Sequence, residues 1–244
     1  MNQKSIFTAF IFLISLISNA QNWMGNGDKI KGNGKIVTIN RIISEYDEIN
    51  VGGSFDVLLV RGKEGNIKIE GEENIVPLIE TTLTGNTLQI KFKKNTNIYT
   101  TKKLIVTVPI TTISKISLGG SGNISNEGVF KSNDLSVSLG GSGNIKLQID
   151  TNELNANIGG SGNIDLSGKT TEFNSSIAGS GNISAYELIS KNSTATIAGS
   201  GSIKTTTTSK IKAKVVGSGN IYYKGTPSET DLKSVGSGEI INKN

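Results

Sequence analysis

The residues of this chain best placed to do chemistry are the glycines and serines of one short recurring run. Gly120-Ser121-Gly122-Asn123-Ile124 returns as Gly141-Ser142-Gly143-Asn144-Ile145, Gly160-Ser161-Gly162-Asn163-Ile164 and Gly179-Ser180-Gly181-Asn182-Ile183. Variants follow at Gly199-Ser200-Gly201-Ser202-Ile203, Gly217-Ser218-Gly219-Asn220-Ile221 and Gly236-Ser237-Gly238-Glu239-Ile240. Three chemistries use runs of this type. A phosphate-binding loop needs a second Gly-Lys and a helix after it, so that backbone N–H groups and a lysine meet the phosphates; no copy has the Gly-Lys or a helical pattern behind it. A calcium-binding β-roll needs Asp at the sixth position of its nonapeptide to supply carboxylate oxygen. Gly119-Gly120-Ser121-Gly122-Asn123 matches five positions and then places Ile124 at the sixth. A nucleophile elbow needs Gly-x-Ser-x-Gly; from Gly119 the last position is Asn123, and the chain has no His to activate a serine.

Paired carboxylates are the remaining route to catalysis, because two of them facing a glycosidic bond suffice to cleave it. The candidates are Asp47 with Glu48, and Glu70, Glu72 and Glu73. Neighbours in a strand point to opposite faces, which separates Asp47 from Glu48. Glu70 and Glu72 can share a face, beside Gly71 near an expected turn. With no Cys and no His, thiolate chemistry, imidazole bases and the commonest transition-metal ligands are missing. We therefore expect no catalytic, metal or cofactor-binding residue. Thr205-Thr206-Thr207-Thr208 is expected to be a strand or turn of β-branched residues, with a flat binding face as the alternative.

The charge balance bears on partners. Residues 21–110 carry 12 basic and 10 acidic side chains, and residues 111–244 carry the same. A nucleic-acid binder concentrates Lys and Arg on one face or in one run, so no nucleic-acid partner is expected.

The elements that position the run follow from its spacing. Its starts lie 21, 19, 19, 20, 18 and 19 residues apart. A fixed period of this size signals a solenoid, propeller or array. Before each corner apolar and polar residues alternate, as in Leu154, Ala156 and Ile158 against Asn155 and Asn157; after it the alternation continues in Ile145, Leu147 and Ile149. Period two marks strands with one buried face. A unit of this length is too short for a propeller blade but fits one coil of a β-solenoid. The fold class is thus all-β, a parallel β-helix with coils of about 19 residues. Glycines permit the bend, the Ile after each corner points inward, and Asn123, Asn144, Asn163, Asn182 and Asn220 form a column whose amides bond coil to coil. The second corner is irregular, as at Asn126-Glu127-Gly128, Asp150-Thr151-Asn152, Ser167-Gly168-Lys169 and Lys224-Gly225-Thr226-Pro227.

Four segments result. Residues 1–20 have a basic start at Lys4, an apolar run over 6–17 and Ser18-Asn19-Ala20, the layout of a secretory signal peptide cleaved after Ala20; an uncleaved anchor or buried strand is the alternative. Residues 21–35 are a flexible glycine-rich lead-in. Residues 36–118 are an irregular N-terminal part of the solenoid, with strands at 37–39, 57–60, 67–69, 88–92 and 104–108, a turn at Thr84-Gly85-Asn86-Thr87 and a degenerate corner at Gly53-Ser54-Phe55-Asp56-Val57. A helical turn is weakly signalled near Pro77. Residues 119–244 are the regular repeat. No later segment is apolar enough to cross a membrane, so an exported protein of the periplasm or the cell surface is expected.

The repeated Gly-Ser-Gly-Asn-Ile pattern resembles the autotransporter adhesin head domain, or GIN domain, family. So do Asp47-Glu48-Ile49-Asn50-Val51-Gly52-Gly53-Ser54-Phe55-Asp56-Val57 and the stretch 104–108 with Pro109. The resemblance spans residues 36–241 and implies a right-handed β-helix in a secreted or envelope protein of Bacteroidetes-type bacteria. It transfers no functional residue. The chain ends at Asn244 with no C-terminal barrel, so periplasmic residence and surface display stay equally open. Three functions compete: a non-catalytic, adhesin-like module for an envelope, glycan or protein partner; a polysaccharide-active enzyme on the same scaffold; and a structural envelope component that self-associates.

Overall fold

From Asn144 onward the strands stack like with like. In a computed structural model that describes residues 29–244, the strand Asn144–Gly160 runs parallel to Asn163–Gly179, pairing Asn144 with Asn163, Ile145 with Ile164 and so on to Gly160 with Gly179. Asn182–Gly199 and Ser202–Gly217 extend the stack in the same direction. The expected signal peptide, 1–20, and residues 21–28 of the expected lead-in lie outside the described residues. The molecule is a parallel β-solenoid. Its axis is lined by Val57, Ile124, Ile145, Ile164, Ile183, Ile203 and Ile221, each essentially inaccessible to solvent. Burying such a side chain contributes about 1.5–3 kcal/mol, and the column repeats that gain once per coil.

The second corner breaks the strand as expected at 127–129 and 225–228, but in the coils between them it is not an irregular turn. Asn144–Gly160 is strand throughout; only the phase of burial changes. Ile145, Leu147, Ile149 and Thr151 point inward, and then Leu154, Ala156 and Ile158 do. One residue of slip turns the chain, and the pairing with the next coil resumes after Asn152, at Glu153 with Glu172. Thr151 and Thr170 occupy the inside of this bend, hydroxyl to hydroxyl at 3.1 Å.

The N-terminal third departs further from a simple stack. Glu48–Gly53 pairs in parallel with Lys115–Gly120, and Asp56–Arg61 with Asn123–Asn126. Gly53 thus stands under Gly120, Asp56 under Asn123 and Val57 under Ile124. Gly53-Ser54-Phe55-Asp56-Val57 is a corner of the same column, with Phe55 in place of the second glycine. The Phe55 ring is buried and meets Phe92 edge to face at 5.1 Å.

Residues 62–114 leave this coil and cover its other side. Thr87–Phe92 and Ile105–Ile110 lie parallel to it. Asn66–Glu72 then adds antiparallel to Ile105–Ile110, Ile36–Ile42 antiparallel to Asn66–Glu72, and Ile79–Thr84 forms an antiparallel hairpin with Thr87–Phe92 around Gly85. The turn near Pro77 is a 3-10 helix, Val76–Leu78. The expectation of a flexible lead-in through residue 35 does not hold for its end: Lys29–Lys31 pairs with Asn97–Tyr99, and Lys29 Nζ lies 4.4 Å from the Tyr99 ring centre.

Candidate functional site

The Gly-Ser-Gly corner carries the repeat's distinctive residues, and its geometry explains each of them. Gly120 and Gly141 have φ of 133° and 148°, a region that L side chains rarely enter. A Cβ on Gly141 would overlap Gly120 O of the coil below; one on Gly143 would overlap Gly122 O and press on Leu118. The corner carbonyls accept from the next coil, some of them twice. Gly120 O accepts from Ser142 N–H and Gly143 N–H, both at 3.0 Å, and Gly122 O accepts from Asn144 N–H at 3.0 Å. Gly141 O and Gly143 O repeat the pattern one coil on. The backbone N–H groups that a phosphate or an oxyanion would need are already donating to the coil below.

The asparagines stand in a hydrogen-bonded file. Asn123 Nδ2 donates to Asp56 Oδ1 at 2.7 Å, Asn144 Nδ2 to Asn123 Oδ1 at 2.9 Å, Asn163 Nδ2 to Asn144 Oδ1 at 2.9 Å and Asn182 Nδ2 to Asn163 Oδ1 at 3.0 Å. The Ser202 hydroxyl donates to Asn182 Oδ1 at 2.8 Å. Asn220 pairs in register with Ser202, but its Oδ1 accepts the Glu239 N–H of the next coil at 2.9 Å. Four amides therefore point the same way, and a carboxylate that can only accept closes the file at Asp56.

Each acidic candidate is engaged by a partner of its own. Asp47 accepts from the Ser114 hydroxyl at 2.8 Å, whereas Glu48 accepts from the Thr87 hydroxyl at 2.9 Å and faces Lys115 at 3.9 Å. Glu70 pairs with Lys68 at 3.3 Å and Glu73 with Lys35 at 2.7 Å. Glu72 is buried and acts as a clasp. Its carboxylate accepts from the Thr101 hydroxyl at 2.6 Å, from Thr101 N–H and Gly34 N–H at 2.8 Å and from Lys102 N–H at 3.3 Å. The Thr101 hydroxyl, reinforced by these backbone donors, holds the carboxyl pKa down to about 2 against the opposing effect of burial. Gly32 has no room for a Cβ because Glu72 fills that space. Among the described residues, no cluster of three or more Asp or Glu could hold a metal ion.

Thr205 and Thr207 of the threonine run are fully buried. With Ser190 and Ser193 they form a hydroxyl cluster inside the coil: Thr207 Oγ1 donates to Ser193 Oγ at 2.7 Å, Ser190 and Ser193 are 2.7 Å apart, and Ser193 lies 3.1 Å from Thr205. The alternation of a strand places them there; that the interior turns polar at this level is not signalled in the run itself.

Comparison with known proteins follows from this geometry. The model of the family described as "Putative auto-transporter adhesin, head GIN domain" matches residues 45–227. The chain belongs to this family. The match begins just before the strand Glu48–Gly53, so the family unit includes the corner at Gly53 together with the later ones. A crystal structure described as a "putative adhesin", from Bacteroides fragilis, is 29% identical, covers 88% of this chain and 100% of its own, and superimposes with a TM-score of 0.84. A "putative lipid binding protein" from Parabacteroides distasonis is also 29% identical over 88% of this chain and 100% of its own, with a TM-score of 0.74. A crystal structure described as a "putative adhesin", from Parabacteroides merdae, shares the fold at 24% identity over 89% of this chain and 100% of its own, with a TM-score of 0.73. A comparison with curated proteins finds no match. Among the described residues, no helix is long and apolar enough to cross a membrane.

The surface features that sequence reasoning missed lie in the later coils. Halving the chain hides a local excess of positive charge. Residues 202–244 carry seven lysines against three acids, whereas residues 111–200 carry five basic and seven acidic side chains. The sequence signal was available in the unequal coil lengths: the spacing of 20 and then 18 residues marks the place where the outer surface changes.

Proposed function

We propose that this GIN-domain protein is an exported, non-catalytic recognition module of the bacterial cell envelope, residing in the periplasm or on the cell surface and binding an envelope, glycan or protein partner through its outer faces. The observation that supports this reading best is the occupation of the corner. The glycine carbonyls, the serine and glycine N–H groups and the asparagine amides are taken up by the neighbouring coil, which leaves recognition to side chains on the flat outer sheets. A rigid scaffold presenting variable outer side chains is how solenoids create extended binding surfaces. Family membership and the Bacteroides fragilis relative described as an adhesin point in the same direction.

The experiment is a binding screen of the purified chain against glycans, envelope proteins and, because one relative is described as lipid binding, lipid vesicles. Saturable binding to at least one class is expected. An empty screen overturns the reading. Fractionation of cells that produce the full chain, with recovery in the cytoplasm, would overturn the export component.

A further inference from the structure

Resting on that recognition reading, we infer that Tyr186, Tyr222 and the lysines Lys204, Lys224 and Lys243 bind a linear acidic polysaccharide lying along the solenoid axis.

The argument begins with a bulge. Asp165 pairs with Ser184 but Ser167 pairs with Glu187, so the coil containing Asn182–Gly199 holds an extra residue here. Against the following coil the slip is larger: Ala185 pairs with Thr205 and Ile189 with Thr206. Bulges disrupt the ladder and re-aim side chains. This one buries Leu188 inward and turns the half-buried Tyr186 and the exposed Glu187 outward. Beside them runs a groove of about 470 Å³, lined by Lys146, Asp165, Ser184, Tyr186, Glu187 and Lys204 among others.

Lysines from the next coils gather around the tyrosines. Lys224 Nζ lies 4.5 Å from the Tyr186 ring centre and Lys204 Nζ 6.0 Å from it; Lys243 Nζ lies 5.5 Å from the Tyr222 ring centre. Lys204 and Tyr222 are register partners. Among the described residues, none of these three lysines makes an ion pair with a carboxylate. Holding an ammonium over an aromatic ring restrains it without neutralising it. The result is a group of restrained, unneutralised cations, one from each of three successive coils, with Lys224 two register positions beyond Lys204.

The chemistry of the group selects the ligand. Ammonium groups spread over three coils match a polymer with repeated negative charge better than a single small anion. Tyrosine rings offer an apolar surface to a pyranose face and a hydroxyl at the rim. Asp165 and Glu187, on the groove, add acceptors for the hydrogen bonds of sugar hydroxyls. A uronate-bearing glycan satisfies all three features.

The test uses the purified chain, alginate as the polyuronate probe, neutral dextran as the uncharged control and vesicles containing phosphatidylglycerol. The variants are Tyr186→Ala, the double Lys204→Gln/Lys224→Gln, and a charge-matched control, Lys212→Gln/Lys214→Gln. The control lysines line a different groove, of about 270 Å³, on the sheet before the corner. The wild-type chain should bind alginate and ignore dextran, with affinity falling as salt rises. Both site variants should lose about tenfold or more in affinity, while the control stays within about twofold. The lysine variant alters exposed or half-buried side chains only, so it decides the matter if Tyr186→Ala does not fold. The inference is overturned if the wild-type chain does not bind alginate, if the control loses as much as the site variants, or if vesicles bind more tightly than alginate. Should alginate fail while another partner emerges from the broad screen, this site assignment falls and the recognition reading stands; an empty screen removes both.

Discussion

Replacing Asn163 tests whether the amide file holds the stack together. In the native chain Asn163 donates to Asn144 Oδ1 and accepts from Asn182 Nδ2. Asn163→Ala removes both bonds and strands an acceptor below and a donor above. Each hydrogen bond contributes about 0.5–1.5 kcal/mol net. The column is partly exposed, so water recovers some of this, and we expect a loss of about 1–2 kcal/mol. For a domain of this size that corresponds to a fall in Tm of about 2–8 °C. Asn163→Asp adds a sharper diagnostic. Above its pKa the carboxylate still accepts from Asn182 but faces the Asn144 oxygen with no proton to offer. Protonation restores a donor, so the folded state raises this carboxyl's pKa above its unfolded value. The favourable contribution is then present below the unfolded pKa and lost as pH rises through the folded one. Asp56→Asn is the control, because Asp56 only accepts; it should cost less than about 0.5 kcal/mol. Denaturant titrations of the four proteins from pH 3 to pH 8 provide the measurement. A loss below about 0.3 kcal/mol for Asn163→Ala, or an Asn163→Asp stability that follows wild type across the pH range, would refute the reasoning.

Other predictions concern the corner, the clasp and the polar interior. Gly181→Ala would drive a Cβ into Gly162 O and toward Ile158 and should cost about 3 kcal/mol or more in chemical denaturation. Gly159→Ala meets nothing within 4 Å and should be nearly neutral, since Ala178 and Ala198 occupy the same register position. The Glu72 clasp, with its carboxyl near pKa 2 rather than the ordinary 4.5, contributes fully above the ordinary value and is lost as pH falls toward 2. Amide exchange at Gly34, Thr101 and Lys102 should therefore accelerate over that window ahead of the Asn163–Gly179 strand, and simultaneous acceleration throughout would contradict the clasp. Thr207→Val removes the donor to the buried Ser193 hydroxyl and should cost about 1–3 kcal/mol, read as a shifted denaturant midpoint.

Much of the stack is legible in the sequence because each coil repeats the same local choices. Glycines fix the bend, the following Ile faces inward, and register pairing of identical residues turns one corner into a column. Even the corner at Gly53 can be found, since it keeps Gly-Ser and replaces Asn and Ile by the similar Asp56 and Val57, with only Phe55 out of character. The cap is another matter. Residues 62–114 contain the same alternating apolar residues, and alternation does not distinguish a parallel coil from the antiparallel pairing of Ile36–Ile42 with Asn66–Glu72. Glu72 and Glu70 look alike as residues two apart in a strand; their fates diverge because the strand ends at Glu72, where Gly34 and Thr101 converge from distant segments. The Tyr186 bulge was visible only as a spacing of 20 followed by 18. Which residue is extruded depends on the register with both neighbouring coils, and that information is spread over three coils.

The placement of the coil 48–61 between two later segments sets the order in which the molecule can assemble. In the later coils a corner asparagine meets its partner 19 residues away, whereas Asn123 reaches Asp56 across 67. The loop-closure cost grows with the logarithm of that separation, so the first contact is harder by about 1 kcal/mol. As the polypeptide emerges N-terminus first, Glu48–Gly53 waits with both edges bare until Thr87–Phe92 and Lys115–Gly120 arrive to flank it. The shorter closures of the later coils accordingly favour their pairing ahead of the contact between Asn123 and Asp56.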